Sequence, residues 1–255
     1  MKKSATALIV VALGLASPVM AAEITVLSTG GARAVMTSLV PEYERMSGDH
    51  VTINFATPGQ MQDRLVKGEA ADVAVGIAAI MSDVEKAGRV VAGSRAEFAA
   101  SYVGVVVRAG APKLDLATPD AIKRAVLAAK TVALSDPKAG TQLGVTFIAT
   151  AEQHGFGPEM RARAKMILGP GSDVAQAVAK GEADMGVTLI SEILPVPGTS
   201  LAGEVPADFM APTVMYAFET SGAKNPETAK KLLAFLHSPD ARKVIEAKGM
   251  KPPKE

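Results

Sequence analysis

Runs rich in β-branched and aliphatic residues alternate along this chain with segments whose apolar positions recur at helical spacing. Ile24 to Leu27 reads as a strand. Val35, Leu39, Val40 and Tyr43 then mark the buried face of a helix from Ala32 to Met46, which Gly48 closes. The same grammar continues through strand Val51 to Phe55, helix Gln60 to Lys67, strand Asp72 to Ile77 and helix Ile80 to Ala87. It restarts with strand Thr131 to Leu134, helix Leu143 to Gln153, strand Lys165 to Leu168, helix Val174 to Lys180 and strand Asp184 to Leu189. Strands that alternate with helices in this way predict parallel sheets covered by helices, an α/β fold.

The two stretches share a motif. Lys67-Gly68-Glu69-Ala70-Ala71-Asp72 returns, one residue shorter, as Lys180-Gly181-Glu182-Ala183-Asp184. In each, a helix ends at Lys-Gly, Glu-Ala makes the turn, and an Asp opens a buried strand. The loops before these helices echo too, as Thr57-Pro58-Gly59 and Gly169-Pro170-Gly171-Ser172. Lys-Gly-Glu-Ala alone is a common helix-to-strand connector, so the repeat rests on the order of all these features. Tyr102 to Val107 and Pro212 to Phe218 are extended apolar runs of the kind a chain needs to leave one lobe and return to it. The expectation is two similar α/β lobes joined by two hinge strands, with residues 23–107 plus 210–255 in lobe 1 and 108–209 in lobe 2. A helix with its apolar face at Ala229, Leu232, Leu233 and Leu236, and a last one capped by Ser238 with Pro239 in its first turn, are placed on lobe 1.

The N-terminus changes the compartment. Met1-Lys2-Lys3, the apolar stretch Ala5 to Leu15, Pro18 and the small-residue run ending Ala21-Ala22 have the layout of a secretory signal peptide over residues 1–22, cleaved after Ala21 or Ala22. Without cysteine, the chain forms neither a diacyl-Cys anchor nor a disulfide scaffold. A freely diffusing periplasmic monomer is expected. Removing Lys2 and Lys3 from the 27 basic residues leaves 25 against 26 acidic ones, so no broad basic field exists to hold nucleic acid or anionic lipid. Any charged ligand must be held by local design.

The strand Ile24 to Leu27 with its Gly-rich loop, Phe55-Ala56-Thr57-Pro58-Gly59, the Lys-Gly-Glu-Ala-Ala-Asp-Val segment, Leu134-Ser135-Asp136-Pro137, Gly181-Glu182-Ala183-Asp184 and Phe235-Leu236-His237-Ser238-Pro239-Asp240-Ala241 occur in this order. Together they resemble the periplasmic molybdate-binding protein family, over essentially the whole chain beyond the signal. The resemblance implies a type II periplasmic binding protein fold, an anion held between the lobes, and an ABC permease in the inner membrane as partner. Three positions depart from the family pattern: Gly31 where a Ser is usual, Thr57-Pro58 where paired Ser are usual, and Leu189 where a Tyr commonly closes over molybdate.

An anion receptor of this kind needs backbone N–H groups at helix N-termini, a few hydroxyls and sometimes one cation. Candidates lie at strand-to-helix turns: Ser28, Thr29, Gly30 and Gly31; Thr57, Pro58 and Gly59; Ser135, Gly140 and Thr141; Gly171 and Ser172; and Leu189 beyond them. Gly, Ser and Thr are also the ordinary turn and cap residues, and it is their convergence on one cleft that would make a site. Arg33, one turn into the first helix, is the sharpest candidate, since a guanidinium fork matches a carboxylate. Catalytic readings find little support. No G-x-S-x-G, H-E-x-x-H or Walker-type motif occurs, His50, His154 and His237 read as loop or helix-end residues, and Asp136 fits a turn. The expected function is capture of a small anion for an ABC importer, without catalysis, metal or cofactor. An organic carboxylate is favoured because Gly31, Pro58 and Leu189 remove donors and leave room, with a molybdate-type oxyanion as alternative. A ligand-sensing subunit uses the same lobes and stays open.

Overall fold

The computed structural model describes residues 21–254, so the expected signal peptide lies outside the described residues except for Ala21 and Ala22. In chain order the strands are β1 (Glu23–Thr29), β2 (His50–Ala56), β3 (Val73–Ile77), β4 (Ala96–Ser101), β5 (Val103–Arg108), β6 (Val132–Ser135), β7 (Ala164–Ile167), β8 (Met185–Leu189), β9 (Thr199–Glu204), β10 (Thr213–Glu219) and β11 (Met250–Lys251). The helices are α1 (Arg33–Ser47), α2 (Pro58–Val66), α3 (Ala78–Lys86), α4 (Pro119–Ala128), α5 (Leu143–Gln153), α6 (Gly157–Arg163), α7 (Gly171–Ala179), α8 (Ile190–Ile193), α9 (Pro226–Leu236) and α10 (Pro239–Ala247). Single 3-10 turns, Gly30–Ala32 and Pro137–Ala139, follow β1 and β6.

Two sheets form, ordered β11-β4-β10-β3-β1-β2 and β7-β6-β8-β5-β9. β1 runs parallel to β2 and β3, as β6 does to β7 and β8, and one antiparallel strand closes each set: β10 on β3 and β5 on β8. The second sheet therefore repeats the order of the first. Strand pleat divides the side chains between two faces. In the first sheet Ile24, Val26, Val73 and Val75 pack with Val35, Met36 and Leu39 of α1, while Leu27, Ala74 and Phe218 pack with Met61 and Leu65 of α2 and Ile80 and Val84 of α3. In the second, Val105, Val132, Leu134 and Val187 share a core with Phe147, Phe156 and Met160, while Val106 and Ala133 meet Val174, Ala175 and Val178 of α7.

The repeated motif is a repeated structure. Gly68 (φ 87°) and Gly181 (φ 75°) end α2 and α7 in the left-handed region, where a side chain would be strained. Asp72 then accepts the Thr25 N–H at 2.8 Å, and Asp184 accepts the Thr131 N–H at 3.0 Å. Val26 pairs with Val73 as Val132 pairs with Met185.

The passage between sheets differs from the expected boundary. β5 pairs on both sides with strands of the second sheet, so residues 103–107, read from sequence as part of lobe 1, sit in lobe 2, and the chain crosses at Tyr102. Val105 and Val106 point to opposite cores there, Val105 in the cluster of Val132, Leu134 and Val187 and Val106 in that of Ala133, Val174 and Val178. β10 returns to the first sheet, and α9 and α10 pack beside α1.

Candidate functional site

Thr29 and Ser135 occupy the last positions of β1 and β6, and both are buried and open onto one cleft between the sheets, of about 230 Å³. The register that matches Val26 to Val132 makes them equivalent residues of the two lobes. A cleft smaller than the ~300–1,000 Å³ typical of drug-sized ligands calls for a small one. Thr29 Oγ1 is buried and has no hydrogen-bond partner. A hydroxyl in that state carries a desolvation cost of about 1–3 kcal/mol until a ligand or water meets it.

Of the candidates read from sequence, Thr29, Gly30, Gly31, Thr57, Pro58, Ser135, Thr141, Gly171 and Leu189 line the cleft. The others do not. Ser28 is buried in β1 with its hydroxyl on the Thr29 carbonyl at 3.3 Å. Gly59 and Gly140 meet each other, the Gly59 N–H donating to the Gly140 carbonyl at 3.1 Å, and Ser172 lies outside the lining. Arg33 is exposed, with its guanidinium 3.9 Å from the centre of the Phe55 ring and outside the cleft lining. An aromatic face is the partner this first-turn cation has found.

Two further expectations need correction. Room was expected where Gly31 replaces a hydroxyl, yet a Cβ there would meet Met215 Cε at 2.6 Å and Leu189 Cδ1 at 3.2 Å, so methionine and leucine already fill that space. Helix N-termini were expected to cradle the ligand, but at α2 and α7 the first donors are engaged, whereas no side chain caps the turns that begin after Thr29 and at Gln142. At α2, Thr57 caps the Gln60 N–H at 3.4 Å and Gln60 returns the bond to the Thr57 N–H at 3.1 Å. At α7, the Gly171 N–H serves the carboxyl of Glu192.

Glu192 was not foreseen. It sits on the short helix α8, pinned between the lobes where the neighbouring Ser191 hydroxyl donates to the Gly31 carbonyl at 2.9 Å. Its Oε2 accepts the Thr188 hydroxyl at 2.8 Å, and the Leu189 and Gly171 N–H groups lie against the same carboxyl. A Cβ on Gly171 would collide with Oε2, which explains the glycine there. Burial pushes the carboxyl above its ordinary range; the three donors oppose that, and the Asp173 charge adds to it. Among the described residues that line the cleft, Glu192 is the one titratable side chain, and no cation accompanies it. The repeat held a signal: Glu192 stands where lobe 1 has Ile80, a buried core residue.

The remaining wall is apolar, formed by Ile77, Val103, Leu143, Met210 and Met215. His50, His154 and His237 are engaged elsewhere, with Glu44, the Phe209 ring and the Leu233 carbonyl. Asp136 accepts the Lys138 N–H at 2.8 Å in the turn expected of it.

Residues 24–251 match the family of bacterial extracellular solute-binding proteins. The chain belongs to that family. This solute-binding protein is also 34% identical over 251 residues to an aconitate isomerase of a Pseudomonas species, covering 94% of each chain. It is 27% identical to a molybdate-binding protein of Azotobacter vinelandii, covering 94% of this chain and 96% of the other. The solved periplasmic molybdate-binding protein of A. vinelandii superposes with a TM-score of 0.74 at 20% identity, over 91% of this chain and all (100%) of that one. The fold is thus the two-lobed type II binding-protein fold, as the sequence motifs implied. No described helix is long and apolar enough to cross a membrane.

Proposed function

We propose that this protein captures a small organic polycarboxylate between its lobes and presents it, as a periplasmic monomer, to an ABC permease. The carrying observation is the unpartnered Thr29 hydroxyl in a cleft whose other wall is Ile77, Val103, Met210 and Met215. A tetrahedral oxyanion carries polar atoms on every side, so each one turned to an apolar wall stays unsolvated at a cost of several kcal/mol. A carboxylate on a carbon skeleton puts its oxygens on the hydroxyls of Thr29, Ser135 and Thr141 and its carbons on the methionines. Relatives supply the charge class, since one acts on aconitate and another binds molybdate.

The lobes divide at Tyr102 and near Met210 and close on the ligand, and export cleaves the chain after Ala21 or Ala22, leaving Ala22 or Glu23 at the mature N-terminus. A thermal-shift panel tests the ligand class. At about a hundred times its dissociation constant, a true ligand stabilises the fold by about 2.7 kcal/mol. Citrate or an aconitate isomer is expected to give that shift, with Arg33→Ala leaving it intact because Arg33 stays on Phe55. A large shift with molybdate or tungstate and none with carboxylates would establish the oxyanion instead.

A further inference from the structure

An ionised acidic side chain in its wall is a burden to a site that only captures anions. Coulomb repulsion weakens ligand binding whenever that group is ionised, and among the described residues no cation lines the cleft to offset it. Glu192 is nevertheless held with care: Thr188 at 2.8 Å, the Leu189 and Gly171 N–H groups, and a glycine at 171 that clears its place. Its Oε1 lies 3.9 Å from the position of a Cβ on Gly30, so the carboxyl sits where both lobes meet the ligand. A held, partly buried carboxyl at a ligand site is a group placed for proton transfer.

We propose that Glu192 moves a proton between carbons of a bound unsaturated polycarboxylate, so that the cleft isomerises its ligand about the carbon–carbon double bond. The inference rests on the polycarboxylate reading above. In the step, the Glu192 carboxylate takes a proton from the methylene that lies between a carboxylate and the alkene. That C–H electron pair becomes the new double bond, the old π pair takes the proton back from Glu192 at the far alkene carbon, and the carboxylate is regenerated. One C–H bond breaks and one forms, with no net oxidation, water or cofactor. For a propene tricarboxylate the product has the same connectivity, and the former double bond, now single, has turned freely in between. Charge that develops on the ligand carboxylates meets the Thr29 hydroxyl, which has no other partner. Asp173 is the charged neighbour that reinforces the basicity of Glu192.

The test follows cis-aconitate and trans-aconitate by proton NMR with the intact mature protein, alongside their thermal shifts. Wild type is expected to interconvert the isomers, and Glu192→Gln to slow this by about a hundredfold or more while giving a thermal shift at least as large as that of wild type. Glu192→Asp, which draws the carboxyl back by a methylene, is expected to fall between them, and it carries the test if Glu192→Gln does not fold. Binding by wild type without interconversion would overturn the activity and leave the receptor reading standing. Binding of neither isomer nor of citrate would remove the receptor reading itself. Equal turnover by wild type and Glu192→Gln, or by wild type and Glu192→Asp, would overturn the role of Glu192, as would Glu192→Gln that binds far more tightly while wild type turns nothing over.

Discussion

The Gly59 N–H donates to the Gly140 carbonyl at 3.1 Å, a backbone bond from the first turn of α2 in one lobe to the loop after β6 in the other. A Cβ on Gly59 would stand 3.1 Å from Gly140 Cα and 3.5 Å from its carbonyl oxygen. The obstacle is backbone, so no rotamer relieves it and the lobes must part slightly. Gly59→Ala is expected to weaken ligand binding by about tenfold, the effect of a small overpacking strain on the closed form. Calorimetric titration of the polycarboxylate checks this, and unchanged affinity would show that the contact does not limit closure.

Asp72 and Asp184 hold equivalent places with unequal burdens. Asp72, 3% exposed, accepts the N–H groups of Thr25, Lys224 and Asn225, and so ties β1 and β3 to the segment leading into α9. Asp184 is exposed and accepts the N–H groups of Lys130 and Thr131. Water can replace Asp184 but has little access at Asp72. Asp72→Ala is expected to cost about 3 kcal/mol or more and Asp184→Ala about 1 kcal/mol. Denaturant melts of the two variants decide, and equal losses would contradict the difference in burial.

That pair also shows why the fold was legible from sequence. Helix ends at Gly68 and Gly181 and the strand-opening aspartates are local chemistry, and apolar spacing in α1 and α5 reports burial directly. The cleft was less legible. Hydroxyls at strand ends could be read, because Thr29 and Ser135 close their strands in sequence. What surrounds them depends on residues far apart in the chain, and no local pattern shows that Met215 fills the space beside Gly31 or that Phe55 captures Arg33. α8 is only Ile190–Ile193, too short for a helical period to register, and so Glu192 went unseen.

Tyr43 gives an alkaline signature. Its hydroxyl donates to Asp49 Oδ2 at 3.0 Å, and burial together with that neighbouring carboxylate pushes its pKa up to about 12 from 10.0. The raised value means the fold favours the protonated phenol. The stabilisation, roughly 2–3 kcal/mol at most, is present below pH 10 and is lost as pH rises toward 12. Wild type should lose melting temperature across that window more steeply than Tyr43→Phe. Parallel curves would show that the phenol titrates without linkage to folding.

Glu192 makes the opposite kind of statement about neutral pH. Burial raises its pKa above the ordinary 4.5, so the folded chain favours the neutral carboxyl while the unfolded chain releases the proton readily. Its contribution is fully present below pH 4.5 and declines as pH rises through the folded value, because ionising the group in the fold becomes a cost the unfolded chain does not bear. Glutamine in its place keeps an amide oxygen for Thr188 and never ionises. Glu192→Gln is therefore expected to melt close to wild type at acid pH and above it at neutral and mildly alkaline pH, the gap widening with pH. Calorimetry without ligand at several pH values reads that gap directly. A gap that stays constant, or a variant less stable than wild type at neutral pH, would mean that Thr188 and the Gly171 and Leu189 N–H groups outweigh burial and hold the carboxylate ionised.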